Sequence, residues 1–397
     1  MSGRCRADVV VVGAGVIGLA SAWRLGQAGG SVVVVDPAPG SGASGVAAGM
    51  LAPVTEARLG EDALWRLNRE SWARWPAFAT EVEAASGRPV GYRDDGTLMV
   101  ALDADDRAVL DDLAARHRTM GLAVDRLRGR DARALEPGLA PGVRAGLLAA
   151  DERSVDPAAL VEALVVAVER AGVTLLRGVV EELALDAAGA RAVGVVVRPV
   201  APAAGPTAVD ADTVVLAAGC RSATLAGVPQ DVRPPVRPVK GQVLTLAQPA
   251  GDPLLTRTVR GIVRGASVYL VPRADGRVVV GATVEERGWD TTPTAGGAYE
   301  LLRDALALVP GLDDATFVAA RAGLRPGSPD DLPMVGATGL PGLVVATGHH
   351  RNGVLLTPVT ADAVAATVTG ATVPGEVAAC DPGRFPAPTE AGLGASR

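Results

Sequence analysis

Three glycines that follow an apolar run near the amino terminus constrain the fold of this chain more than any other feature. Residues 8–12 have the β-branched composition of a buried strand, and Gly13, Gly15 and Gly18 follow it in the spacing G-x-G-x-x-G. In such a turn the first glycine permits a tight bend, the second lets the backbone approach a pyrophosphate, and the third lets a helix lie close to the strand. The pattern predicts the phosphate-binding turn of a dinucleotide-binding fold.

The segments after this turn complete the unit. Residues 16–28 have helical character and end at two glycines, and residues 31–35 form a second β-branched run. Asp36 follows that run, where a carboxylate can accept both ribose hydroxyls and disfavours the 2′-phosphate of NADP. The alternative is a chance glycine-rich turn, which leaves the register of strand, helix, strand and acid unexplained.

The interruption of this pattern bears on which dinucleotide is bound. A nicotinamide dehydrogenase normally continues as an unbroken series of βαβ units, but here a loop rich in Gly, Ala and Ser at 39–49 and an inserted sheet intervene. A later buried strand at 213–217 ends in Ala218 and Gly219, whose small size suits close contact with a flavin nucleotide. The pattern therefore favours FAD.

Two different strand patterns in the sequence predict two domains. Residues 213–217 and 343–346 resemble buried parallel strands, whereas residues 235–320 alternate strands with turn signals. We predict an α/β fold with an α+β insert, in which a Rossmann-like FAD-binding domain carries a second, substrate domain built on a mostly antiparallel sheet. The predicted FAD-binding segments are 1–88, 151–225 and 321–380, the substrate-domain segments are 89–150 and 226–320, and 381–397 is predicted to be a disordered tail.

The composition argues against several other classes of function. The net charge of −6 is mild and acids and bases are interspersed, so the chain has neither a basic face for nucleic acid nor a polybasic segment for an anionic membrane. Its cysteines and histidines show no metal-ligand spacing. The amino terminus imitates a secretory signal, but Asp8 interrupts it, and no apolar run reaches the roughly 20 residues that span a bilayer. We expect a cytoplasmic protein without a metal, nucleic-acid or membrane partner.

Several stretches, taken together and in order, resemble the D-amino acid oxidase superfamily, and within it the bacterial glycine oxidases of the thiamine pathway. The resemblance covers roughly residues 7–369. It is carried by A-A-G-M-L at 47–51, P-V-K-G at 238–241, Y-L-V-P-R at 269–273 running on to G-A-T at 281–283, A-G-L-R-P-G at 322–327, and G-H-H-R-N-G at 348–353.

The resemblance implies roles for particular residues. Arg325 would clamp the substrate carboxylate, because a planar guanidinium donates two parallel hydrogen bonds to such a group. Tyr269 would support the same carboxylate, and Arg351 would be a second active-site arginine. The glycine pattern and the resemblance together assign these cofactor contacts: Gly13, Gly15, Val16, Ile17, Gly18, Asp36, Pro37, Ala43, Ser44, Ala48, Gly49, Met50, Val180, Ala218, Gly219, Gly348, His349, His350, Asn352, Gly353, Val354 and Leu355.

The function that this resemblance implies is FAD-dependent oxidative deamination of glycine, or of sarcosine or a small D-amino acid. Dioxygen would be the electron acceptor, and the products would be glyoxylate, ammonia and hydrogen peroxide. The reaction would supply the synthesis of the thiamine thiazole. The family also implies non-covalent FAD and a homo-oligomer, a tetramer in particular. Ser267 and Val284 replace a His and a Met of better-known members, which removes volume near the expected pocket. A D-amino acid oxidase or dehydrogenase, a sarcosine oxidase-like enzyme, a flavoprotein without turnover and a plain nicotinamide dehydrogenase are the alternatives.

Overall fold

A computed structural model describes residues 4–200, 207–248 and 253–385. Most of its strands belong to two eight-stranded sheets, one largely parallel and one largely antiparallel, and this arrangement confirms the predicted α/β fold class with its antiparallel insert. The strands are β1 (Arg4–Val12), β2 (Val32–Val35), β3 (Met50–Leu51), β4 (Thr97–Ala101), β5 (Asp125–Arg128), β6 (Ala145–Ala149), β7 (Arg153–Ser154), β8 (Thr174–Leu176), β9 (Gly178–Leu185), β10 (Ala192–Pro199), β11 (Thr207–Leu216), β12 (Arg237–Ala247), β13 (Thr258–Val263), β14 (Ala266–Pro272), β15 (Arg277–Gly281), β16 (Thr316–Gly327), β17 (Met334–Ala337) and β18 (Leu343–Thr347). The helices are α1 (Val16–Gln27), α2 (Asp62–Ser86), α3 (Ala104–Thr119), α4 (Gly129–Leu135), α5 (Pro157–Arg170), α6 (Ala295–Leu308) and α7 (Thr357–Thr369).

The first sheet, which we call the nucleotide sheet, has the order β17-β18-β11-β1-β2-β8, with β10 and β9 added antiparallel beyond β11. Its central strand β1 lies parallel to both β2 and β11. Val9 and Val11 belong to the core that contains residues of α1, α2, α5 and α7, whereas Val10 and Val12 belong to the core on the other face. The part of β1 that is buried on both faces, residues 9–12, is therefore wholly apolar, as expected for a central parallel strand.

The second sheet, which we call the substrate sheet, has the order β16-β12-β15-β14-β13-β4-β6-β5. Its neighbouring strands are antiparallel except for the β4–β13 pair. Helix α6 covers one face, where Leu301 and Leu308 belong to the same core as Val268 and Leu270. The opposite face carries Val271 in contact with the loop that precedes β3. This opposite face is turned toward the nucleotide sheet's loops.

Two predicted boundaries differ from the structure. Strand β16 stays in the substrate sheet as far as Gly327, so the predicted division between residues 320 and 321 falls inside a strand. Residues 381–385 were predicted to begin a disordered tail, but Pro382–Arg384 forms a short 3-10 helix. The Arg384 guanidinium bonds the Asp330 carboxylate at 2.9 Å and the Leu332 carbonyl at 2.8 Å, and this tertiary anchoring makes that part of the prediction wrong. The rest of the predicted tail, 386–397, lies outside the described residues.

Across the described ranges, no helix combines the length and the apolarity needed to cross a membrane.

Candidate functional site

The predicted phosphate-binding turn joins β1 to α1, and two of its glycines lie where no side chain fits. Gly13 has φ +104°, and a Cβ there would lie 2.6 Å from the Ala217 carbonyl oxygen. A Cβ on Gly18 would overlap the Gly13 carbonyl. Gly15 is the N-cap of α1, which begins at Val16. The turn therefore presents bare backbone at the positive end of a helix, the environment that binds phosphate.

Two side chains from later segments close around this turn. The Asp36 carboxylate accepts the backbone N–H of Ala14 at 2.8 Å and that of Ala38 at 2.7 Å. The Ser44 hydroxyl accepts the Val16 N–H at 3.1 Å. Both residues thus lie beside the glycine turn, and their proposed contacts with ribose and phosphate stay predictions.

The loop at 43–50 links the two sheets. Its first part, Ala43–Val46, is a 3-10 helix. Gly49 has φ +74°, and a Cβ at that position would also overlap the Val155 carbonyl. Buried Arg273 of the substrate sheet donates to the Ala48 carbonyl at 2.7 Å and to the Val155 carbonyl at 2.9 Å. One guanidinium therefore fixes the loop against the substrate sheet. The sequence analysis included Arg273 in a family stretch but gave it no role.

The turn at 348–353 supplies the other side of the site. His349 is buried, its Nε2 lies 3.0 Å from the Thr360 hydroxyl, and burial lowers the pKa of its ring to about 3. Its imidazole is therefore neutral and packs on α7. The Leu355 carbonyl accepts the Ser71 hydroxyl at 2.6 Å and the Trp75 indole N–H at 2.8 Å, so α2 holds the end of this segment.

Polar atoms without partners test whether this region suits a cofactor. Asn352 Nδ2 and Arg351 Nε are buried and have no hydrogen-bond partner among the described residues. Unpaired buried donors are rare in folded proteins and mark places where a ligand or water completes the bonding. These donors, the bare glycine turn and the Ser44 hydroxyl fit a dinucleotide with a flavin.

The smaller predicted contacts are distributed around the turn and the adjoining strand ends. Gly219 follows β11 with φ +55°, and its carbonyl accepts the Thr347 hydroxyl at 3.0 Å. Val180 lies half-buried on β9 beside the core on the far face of the nucleotide sheet. Burial raises the pKa of the Cys220 thiol to about 12, so it carries no reactive thiolate.

Arg325 and Tyr269 meet on the face of the substrate sheet that lies opposite α6. The Arg325 guanidinium lies over Gly241 and donates to the Thr283 carbonyl at 3.1 Å, while the Tyr269 ring lies over Gly281. The positive charge of the guanidinium acts on the tyrosine hydroxyl and lowers its pKa, against the larger effect of burial. Burial raises the pKa of Tyr269 more than Arg325 lowers it, so the phenol stays protonated.

Strand β16 contacts the 43–50 loop on one side of Arg325 and the 348–353 turn on the other. A Cβ on Gly323 would overlap Val46 of the 43–50 loop. Gly327 forms a β-bridge with His349 of the 348–353 turn. Arg325 is central between these two glycines in the strand. The chain thus places the Arg325 guanidinium at the point where both loops touch the substrate sheet.

Arg351 does not join this pair through any contact that the described residues show. Its guanidinium bonds the Glu61 carboxylate and lies 3.5 Å from that of Asp331. Burial lowers the pKa of the neighbouring His350; Asp331 opposes this shift, and Arg351 and then Arg325 add to it. Ser267 and Val284, the two departures from better-known relatives, are exposed.

Two strand glycines have a role that the sequence alone did not reveal. Gly241 and Gly281 occur in the family stretches P-V-K-G and G-A-T, yet a strand glycine has few uses other than a bulge or a close approach. In the structure a Cβ on either one would overlap Arg325 or Tyr269 respectively. A glycine within or at the end of an apolar strand pattern was the available signal.

Comparisons with known proteins agree with this architecture. The family model described as FAD dependent oxidoreductase matches residues 8–367. The glycine oxidase of Pseudomonas putida is 35% identical over 366 residues, which are 92% of this chain and 95% of that protein. The crystal structure of glycine oxidase from Geobacillus kaustophilus superposes with a TM-score of 0.84 at 32% identity, covering 96% of this chain and 99% of that one.

Longer relatives also match. The bifunctional protein ThiO/ThiG of Trichormus variabilis is 31% identical over 367 residues, 90% of this chain. This chain spans about half of the length of that protein, since the match covers 52% of it.

Proposed function

This chain belongs to the FAD dependent oxidoreductase family, and from that premise we propose that it oxidises glycine or another small amino acid at the Arg325–Tyr269 pair. Dioxygen is the electron acceptor, and the products are an oxo acid, ammonia and hydrogen peroxide. The similarity to glycine oxidases over nearly the whole chain supports glycine as substrate. The single observation that carries the proposal is the position of Arg325 between the two loops that would hold the cofactor.

The residues around this pair explain how a small zwitterion would be oriented. The Arg325 guanidinium binds the substrate carboxylate, and the Thr283 carbonyl keeps that guanidinium in place. The protonated Tyr269 hydroxyl donates a second bond to the same carboxylate, because its raised pKa prevents ionisation. Two such contacts fix the direction of the Cα–H bond, which is the main contribution a protein makes when a cofactor carries the redox chemistry.

The glycine turn, Ser44 and the 348–355 segment would hold FAD in this arrangement, with Asp36 beside the turn. When bound, FAD accepts a hydride and returns the electrons to dioxygen. We propose that it is held without a covalent link: the Cys220 thiol, beside the predicted contact Gly219, has a pKa raised to about 12 by burial and stays protonated. We also propose a cytoplasmic homo-oligomer, a tetramer by resemblance, that supplies thiamine thiazole synthesis.

Anaerobic titration of the purified yellow protein tests this proposal. Glycine, sarcosine and small D-amino acids are added in turn while the flavin absorbance is followed, and air is then admitted for a peroxide assay. We expect glycine to bleach the flavin and air to restore it with one peroxide per flavin. A flavin that no amine bleaches would contradict the proposal, and bleaching that air fails to reverse would indicate a dehydrogenase. Stronger bleaching by a D-amino acid or by sarcosine would instead assign the related oxidase.

A further inference from the structure

A second arginine faces Tyr269 from the side opposite Arg325. Arg260 on β13 is the register partner of Tyr269 on β14. Its neighbour Val259 belongs to the core beneath α6, so Arg260 projects from the other face, together with Tyr269 and Arg325. The side chain is 13% exposed. Burial of the Arg260 guanidinium is costly unless polar or charged partners surround it.

The hydrogen bonds of Arg260 leave one part of its guanidinium unused. Nη1 donates to the Glu56 carboxylate at 2.9 Å and lies 3.5 Å from the Thr55 hydroxyl. Nε is buried and makes no hydrogen bond to any described residue. Nε belongs to one of the edges with which a guanidinium can grip a carboxylate through two parallel bonds. Leaving such a donor unpaired in the interior is costly, which favours an anionic ligand at that edge.

The segment that carries Glu56 is fixed and does not swing freely. The wholly buried Glu152 carboxylate accepts the backbone N–H of Val54 at 2.9 Å and that of Thr55 at 2.6 Å. It also accepts the Thr55 hydroxyl at 2.8 Å. Arg260 therefore meets a rigid partner on its Nη1 side, and its free donor has a defined direction.

Both members of the Arg260–Glu56 pair act on Tyr269. Their charges shift the pKa of its phenol in opposite directions, after the larger effects of burial and of Arg325. The phenol thus lies between two guanidinia. Strands β16 and β13 are four steps apart in the sheet, about 19 Å at ~4.8 Å per step, and Arg325 leans inward over Gly241. The two side chains themselves span part of this strand separation, so the gap between their guanidinia is shorter.

We propose that Arg260 is a specificity residue that binds a second carboxylate, so that this enzyme accepts amino acids whose amine carries another acidic arm. Iminodiacetate is the simplest member of this class. The proposal rests on the proposed function, because Arg325 is taken to hold the first carboxylate. A dicarboxylate with one ammonium group also balances the charge of the two guanidinia and Glu56.

The reaction of such a substrate balances without any further reagent. One methylene C–H bond of iminodiacetate breaks and its electron pair passes through the flavin to dioxygen, which becomes hydrogen peroxide. Water adds to the resulting imine and the C–N bond breaks. One iminodiacetate, one dioxygen and one water thereby give one glycine, one glyoxylate and one hydrogen peroxide.

Sarcosine and iminodiacetate form a matched pair for the kinetic test, because they differ only in the carboxylate on the N-substituent. We expect Arg260→Gln to lower the ratio of kcat/KM for iminodiacetate to that for sarcosine by about 10- to 100-fold, the range for a lost bond to a charged group. Glu56→Gln is expected to raise the same ratio, because it removes a competing negative charge. A purely structural role of the pair would not move the ratio in opposite directions.

Arg257→Gln is the control for the loss of an ion pair. Arg257 lies three residues before Arg260 and bonds buried Glu136 at 2.8 Å, outside the Tyr269 face. In Arg257→Gln, the ratio of kcat/KM for iminodiacetate to that for sarcosine should equal the ratio in the unchanged protein. An Arg260→Gln ratio equal to that of Arg257→Gln would overturn the proposal.

A binding measurement on the FAD-loaded protein covers the case in which Arg260→Gln turns over poorly. Diglycolate and methoxyacetate replace the amine with an ether oxygen and again differ by one carboxylate. Their Kd values follow from the change in flavin absorbance, and diglycolate should bind more tightly to the unchanged protein but lose that preference in Arg260→Gln. If no amine bleaches the flavin, the proposed function fails while this preference still tests Arg260. Equal binding of the two ethers by the unchanged protein would refute the second carboxylate site.

Discussion

Two groups of glycines in this molecule exclude side chains for different reasons. In the phosphate-binding turn, a Cβ on Gly13 or Gly18 would meet backbone atoms of the nucleotide sheet. In the substrate sheet, a Cβ on Gly241 or Gly281 would meet the side chains of Arg325 and Tyr269. Backbone cannot move without unfolding the strand, whereas a side chain can take another rotamer. The first group is therefore needed for the fold and for cofactor binding, and the second is needed to keep the Arg325 and Tyr269 side chains in position.

The largest effect should come from the turn. In Gly18→Ala the new methyl overlaps the Gly13 carbonyl, so we expect loss of the flavin and a fall in unfolding free energy of ~3 kcal/mol or more. Flavin absorbance per protein and the Tm of the purified variant measure both. Gly296→Ala is the matched control, since no described atom lies within 4 Å of a Cβ at that position. A Gly18→Ala protein that stays yellow with an unchanged Tm would contradict this reading of the turn.

Arg325→Ala should have the next largest effect, and it should fall on substrate binding. Loss of a charge-assisted contact with the carboxylate is expected to raise the KM for glycine by about 100-fold, or ~3 kcal/mol, with the flavin retained. Arg321→Ala is the control, because Arg321 is an exposed arginine on the same strand and the same face. An unchanged KM in Arg325→Ala would refute the carboxylate assignment.

Gly281→Ala separates the two groups of glycines most directly. Its methyl overlaps the Tyr269 ring, so the ring must turn away from the substrate while the cofactor loops stay in place. We expect full flavin content with kcat/KM for glycine lowered about 10-fold, equivalent to one misplaced hydrogen bond. Loss of flavin in this variant would show that the distinction between the two groups does not hold.

Tyr269→Phe should give the smallest effect and a characteristic pH profile. Burial raises the phenol pKa above its ordinary value of 10.0, so the donating, protonated form persists to higher pH than for a free tyrosine. We expect kcat/KM to fall about 5-fold in the variant at neutral pH. In the unchanged enzyme, the loss of activity caused by phenol ionisation should begin only above pH 10 and should be missing in Tyr269→Phe. A phenol-dependent decline centred below pH 10 would contradict the raised pKa.

The sequence predicted those features that depend on neighbours in the chain. An Asp followed by Pro is a typical helix start, and Asp156 accepts the N–H groups of Ala158 and Ala159 at the N-cap of α5. The glycine turn and Asp36 likewise lie within a single βαβ unit. Local patterns of this kind are readable because the geometry that they need is set within a few residues.

Features that depend on strand register were outside the reach of the sequence. Arg260 and Tyr269 are neighbours only because β13 and β14 pair in one register, and a shift by one residue would turn Arg260 toward α6. Arg351 was grouped with Arg325 by resemblance, yet its ion pair with Glu61 depends on where α2 begins, and its contact with Asp331 depends on the loop between β16 and β17. Register and docking are settled by the whole core, so the residues alone could not reveal them.

The Arg273 clamp on the 43–50 loop has a consequence for the life of the holoenzyme. Because one guanidinium from the substrate sheet holds both the Ala48 carbonyl of the loop and the Val155 carbonyl, the loop cannot open unless that contact with the sheet also gives way. Escape of the flavin would then require a concerted opening that spans both sheets, which makes release slow even where equilibrium affinity is modest. Shelf life and heat resistance of the yellow protein should accordingly depend on the same guanidinium.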